Sequence, residues 1–125
     1  MRTFARVVAA IAGAFYLGSG LWAFFAPVSF AQTVARFPPY NEHYLHDIGA
    51  FCAGLGVVLL AALVWSQAME VALAGAIAAS VLHEVSHVLD LGEGGRPSDP
   101  WSLGLLVLLC AAALAAWMGR NGVRT

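Results

Sequence analysis

Two short stretches of this chain hold all four of its histidines, each beside acidic residues: His43-Tyr44-Leu45-His46-Asp47 and His83-Glu84-Val85-Ser86-His87-Val88-Leu89-Asp90. Imidazole and carboxylate groups three and four residues apart share one face of a helix, where their lone pairs can converge on a single cation. At 100° per residue, His83, His87 and Asp90 fall within about 60° of one another. Ser80 and Ser86 flank that stripe and Ala76 and Ala79 continue it, while Ile77, Val81, Leu82, Val85, Val88 and Leu89 keep the rest of the helix apolar. In the other stretch His43, His46 and Asp47 share a face that Ala50 and Gly54 continue.

The elements that must hold these groups are apolar. With 61% hydrophobic and 10% charged residues and a mean hydropathy of +0.80, the chain departs from the soluble average of roughly 45–50% and 25%. It reads as an integral membrane protein of one domain, residues 1–125. There is no lysine, and the net charge of −1 leaves no basic field, so no nucleic-acid partner is expected. Cys52 and Cys110 lie in apolar segments without a CxxC spacing, as inert buried thiols do.

Four apolar runs are each close to the ~20 residues that a helix needs to cross a bilayer. They cover residues 4–26, 42–65, 71–91 and 100–118. The first is longer than the apolar core of a signal peptide, and Ala23-Phe24-Phe25-Ala26-Pro27 is a poor cleavage site. Pro27 ends it, and residues 28–37 read as a short amphipathic segment closed by Pro38-Pro39. Asn41 is placed to cap the second span. Residues 92–98 are a loop by composition, and Asp99 followed by Pro100 is a helix start with Asp as the cap. The expected fold is all-α, an up-down-up-down four-helix bundle in the membrane.

Arg2, Arg6, Arg120 and Arg124, four of six arginines, fall on the side of the two termini, which is therefore expected to be cytoplasmic. Trp22 and Trp101 lie near the outer ends of their spans and Trp65 and Trp117 near the inner ends, as interfacial anchors do. This topology brings both histidine stretches to one extracytoplasmic level. It predicts a polar cluster between the second and third spans, with Ala50, Gly54, Ala76 and Ala79 allowing close approach. Tyr16 and Ser19 are placed to line the same cavity. Gly13, Gly49, Gly54, Gly56 and Gly75 are expected at close-packed positions.

Intramembrane ionisable groups default to function. The expected site is a transition-metal centre in a redox or metal-handling role, with His46, Asp47, His83, His87 and Asp90 as ligands and His43 outermost. Zinc, iron and copper are not distinguished by these ligand types. Three alternatives stand beside it. The polar groups can bond to one another and fix helix register in a non-catalytic accessory or assembly subunit. His83-Glu84-x-x-His87 matches HExxH, which in a zinc peptidase makes Glu84 the catalytic base. One histidine from each facing helix can ligate haem, although the carboxylates suit that poorly. Exposed Gly and Ala stripes favour a homo-oligomer or a larger membrane complex.

The chain also resembles the small, largely uncharacterised, four-span bacterial membrane proteins of the DoxX-like kind. The features that carry the resemblance are Pro27 and Phe30 after the first span, Arg36-Phe37-Pro38, His46-Asp47-Ile48-Gly49-Ala50-Phe51, and His83-x3-His87-x2-Asp90. It implies a multi-pass protein of the bacterial inner membrane. It also implies that Asp47, His87 and Asp90 are typical positions and Glu84 is not.

Overall fold

The computed structural model describes residues 1–119; Arg120 and Arg124, used above for orientation, lie outside the described residues. The described chain is helical: α1 (Arg2–Phe25), α2 (Pro27–Thr33), α3 (Glu42–Val64), a 3-10 turn (Ser66–Ala68), α4 (Met69–Leu89) and α5 (Asp99–Met118). The four long helices are long and apolar enough to cross a membrane. Pro27 opens α2 at the position where its missing N–H costs nothing. Asn41 caps α3 as expected, its Oδ1 accepting the Tyr44 N–H at 3.2 Å. The start of α5 differs from expectation. Ser98 is the N-cap and makes no side-chain cap, and Asp99 lies inside the helix with its carboxylate accepting the Arg96 N–H at 2.8 Å.

The closest helix pair is α1 with α3, not α3 with α4. Gly13 faces Gly56 and Gly20 faces Gly49 in antiparallel register. A methyl group on Gly56 would lie 2.7 Å from the Gly13 carbonyl oxygen, and one on Gly49 would lie 2.8 Å from that of Gly20. Bare backbones are therefore in contact along two turns, the arrangement small residues allow in membrane helices. This contact fixes the rotation of α3. The Gly49, Gly56 and Leu59 stripe turns inward, and the expected stripe through Ala50 and Gly54 turns outward. Gly54 and Gly75 have nothing within 4 Å of a would-be methyl group, so neither is a close-packing position.

The bundle is filled at one end only. At the end holding the N-terminus and the 3-10 turn, Ala5, Ala9 and Ala12 of α1 pack with Leu59, Met69, Leu73 and Cys110 in the main core. Arg2 lies over the Trp117 ring at 5.1 Å and ties the two ends of the chain's bundle together there. That core stops at Tyr16, whose hydroxyl is 2.5 Å from Ser80 Oγ and links α1 to α4. Ser80 Oγ donates its own hydrogen to the Ala76 carbonyl at 2.6 Å, so Tyr16 is the donor across the bundle.

Beyond Tyr16, toward the loop end, α1 and α3 stay in contact through Gly20 and Gly49, while the space between them and the ends of α4 and α5 is left open and roofed by connections. Phe30 of α2 packs with Ala23 and Leu45, and Trp22 Nε1 donates to Ser29 Oγ at 3.2 Å. The chain leaving α2 is stapled to the α4–α5 loop: Gly95 N–H donates to the Arg36 carbonyl at 3.1 Å, and the Arg96 guanidinium donates to the Thr33 carbonyl. Gly95 has φ +77°, and a methyl group there would meet the Phe37 ring at 2.8 Å. Conformation and space both require glycine at that point.

Candidate functional site

The inward stripe of α4 runs through Ala76 and Ser80, which are buried, to His83 and His87, which face a chamber at the loop end. The 3.6-residue period carries the packed floor and the two imidazoles on one face. His83 Nε2 and His87 Nε2 are 3.1 Å apart and their ring centroids 4.9 Å apart. Ser86 Oγ donates to the His83 carbonyl at 2.7 Å, staying within its own helix.

His87 is held from two sides. The Phe37 ring meets it edge-on at 5.5 Å, and Asp99 Oδ2 is 4.0 Å from His87 Nδ1. The carboxylate stands on the Nδ1 side of His87, beyond hydrogen-bond distance, and either Nε2 can be the donor in the bond between the rings. Asp90 lines the same chamber, as do Tyr16 and Ser19.

The α3 residues are elsewhere. His43 and Asp47 keep 85% and 56% of their side chains exposed and pair with each other at 3.5 Å. His46 lies 3.9 Å from Glu42 Oε1 and against the Phe24 ring of α1 at 5.2 Å. The expected cluster between the second and third spans is therefore not assembled: the α1 contact turns the His43, His46 and Asp47 face away from α4. Among the described residues no group of three or more His, Cys, Asp or Glu side chains is gathered for a metal. What the structure brings together is His83, His87 and, behind His87, Asp99.

Glu84 does not line the chamber. Its carboxylate is turned toward α5, with Oε1 3.7 Å from where a methyl group on Gly104 would sit, and its Oε2 is buried without a hydrogen-bond partner. A water-activating base would have to sit beside the metal-facing side of the histidines.

The chamber, open along one side, has a volume of about 940 Å³, near the top of the ~300–1,000 Å³ usual for small-molecule sites. Its walls are Phe15 and Trp22 of α1, Phe30 of α2, Leu45 and Ile48 of α3 and Leu103 of α5. The histidines, Asp90, Arg96, Asp99 and Ser102 form its polar part. The Tyr40 phenol at the rim, outside the spans, is pushed up from its ordinary pKa by desolvation and, less, by Glu42. It stays an uncharged donor. Phe37, Arg96 and Asp99 were not among the expected site residues. The signal that could have found them is Gly94-Gly95-Arg96, a turn able to fold back onto another loop. No family model, curated protein or solved structure matches this chain.

Proposed function

We propose that this chain is a multi-pass membrane protein, with both termini cytoplasmic, that binds a transition-metal ion on the His83–His87 pair at the head of its chamber. The observation that carries this reading is the 3.1 Å separation of the two Nε2 atoms. Two imidazole nitrogens each ~2.0–2.1 Å from one tetrahedral ion stand about 3.3 Å apart, so a few tenths of an ångström converts the hydrogen-bonded pair into a chelate. Asp99 then supports His87 from its Nδ1 side, and the remaining coordination positions face the chamber. The site is smaller than the six-residue set expected from the sequence, because His43, His46 and Asp47 lie on the outer face of α3.

The bond between the two rings also favours a second reading, in which the pair only braces α4 within an assembly subunit. Elemental analysis with an optical spectrum, on protein purified in mild detergent, separates the two. A near-stoichiometric metal that is lost in His83→Ala/His87→Ala, with helicity retained, is the expected result. Equal metal in both proteins, or none in either, refutes the metal site. Asp99→Asn is expected to weaken the metal by about 10- to 100-fold, as loss of a histidine's outer partner does.

A further inference from the structure

The two histidines are not equally covered. His87 keeps only 15% of its side chain exposed, whereas His83, one turn deeper on α4, is exposed. What covers His87 lies at the loop end: the edge of the Phe37 ring, with Asp99 beside it. Phe37 belongs to the irregular chain between α2 and α3, and the other irregular connection, between α4 and α5, holds it down. Gly95 N–H donates to the Arg36 carbonyl at 3.1 Å, and the Arg96 guanidinium donates to the Thr33 carbonyl. Phe37 is seated on bare glycine backbone, since a methyl group on Gly94 would come within 3.1 Å of Phe37 Cα. Arg36, Gly94 and Arg96 are all exposed. A cover held by a few surface hydrogen bonds is of the class that opens locally while the packed core stays closed.

A polar solute has two directions of approach to the histidine pair. Along the chamber's open side Phe15 and Ile48 are 52% and 46% exposed. In a membrane that side faces hydrocarbon, where a charge or an unpaired polar group is costly. The loop end is the aqueous alternative, and there the path is short. His87 is two residues from the end of α4, about 3 Å of rise, and the Phe37 ring stands in the way.

We propose that Phe37 is a gate over the histidine pair and Arg96 its latch: polar solutes reach His87 from the loop end only when residues 33–37 lift off the Gly94-Gly95-Arg96 turn. This rests on the membrane placement of the chain and not on what the pair binds.

Carbethoxylation by diethyl pyrocarbonate, read residue by residue by mass spectrometry, tests the gate on the full chain in lipid nanodiscs. The protein is treated with a chelator first, so that no bound metal masks the imidazoles. His43, with 85% of its side chain exposed at the same end, is the reference within each molecule. In the wild type His87 is expected to react far more slowly than His43. Arg96→Ala is expected to speed His87 about fivefold, the change that loss of one ordinary hydrogen bond makes to an opening equilibrium. Phe37→Ala is expected to speed it further, and His43 to keep its rate in both variants. The bond between the two rings is common to all three proteins and does not enter the comparison. A wild-type His87 as fast as His43 would overturn the gate. So would a His87 rate that Arg96→Ala leaves unchanged, which is what reagent arriving from the lipid side would give. Faster reaction accompanied by lost amide protection in the middle of α1 and α3 would overturn it too, since the bundle and not the roof would then be opening. Absence of metal before chelation would remove the metal reading and leave these outcomes as they are. A chain that does not enter the nanodisc would overturn the membrane placement and the gate with it.

Discussion

The hydroxyl of Tyr16 crosses the bundle to Ser80, and the direction of that bond makes the two partners unequal. Tyr16→Phe removes one donor and leaves Ser80 still bonded to Ala76, so it is expected to cost about 1 kcal/mol. Ser80→Ala strands a buried phenol and is expected to cost more, about 1–3 kcal/mol. Thermal unfolding in detergent reads the order, and a larger loss for Tyr16→Phe would contradict the assignment of donor and acceptor. On the proposed metal reading the ligating imidazoles must be neutral, so metal affinity is expected to fall as the solution is made more acid. Competition titrations at several pH values check this, and affinity that rises with acid would exclude imidazole ligation.

Between helices, the α1–α3 crossing decides where every polar group of α3 ends up. Gly20→Leu or Gly49→Val drives a side chain into facing backbone and is expected to abolish the folded bundle or cost well over the usual 1–3 kcal/mol of overpacking. Gly54→Ala and Gly75→Ala meet open space and are expected to be neutral, or stabilising by up to about 1 kcal/mol from helix propensity. Melting temperatures of the four variants test both halves. The same crossing explains how far the sequence could be read. Four spans, the Asn41 cap and the inward stripe of α4 follow from apolar length, capping chemistry and helical period. The rotation of α3 does not, because two stripes of small residues run along it, Ala50/Gly54 and Gly49/Gly56. The first also carries His43, His46 and Asp47, which argued for facing it inward. The cue for the other was a spacing of seven shared by Gly49/Gly56 and Gly13/Gly20, legible only when α1 and α3 are considered as a pair. Asp99 was mistaken for a cap because its partner, the Arg96 N–H, depends on a turn set by Gly94 and Gly95.

Across the whole molecule, a solid half built on Ala, Leu and Cys110 supports a hollow half held by few contacts. The roof rests on the Arg96 and Gly95 bonds to the chain after α2. Arg96→Ala is expected to speed amide hydrogen exchange in residues 33–37 and 92–98 while leaving the middle of α1 and α3 protected. Uniform acceleration would mean that the roof is not a separate unit. The uneven filling has a mechanical consequence as well. Compression acts most on loosely filled space, and the large open chamber lies at the loop end. Squeezing that end narrows the space between the walls while the tightly packed stem below Tyr16 keeps its cross-section, so this small bundle is stiff at one end and compliant at the other.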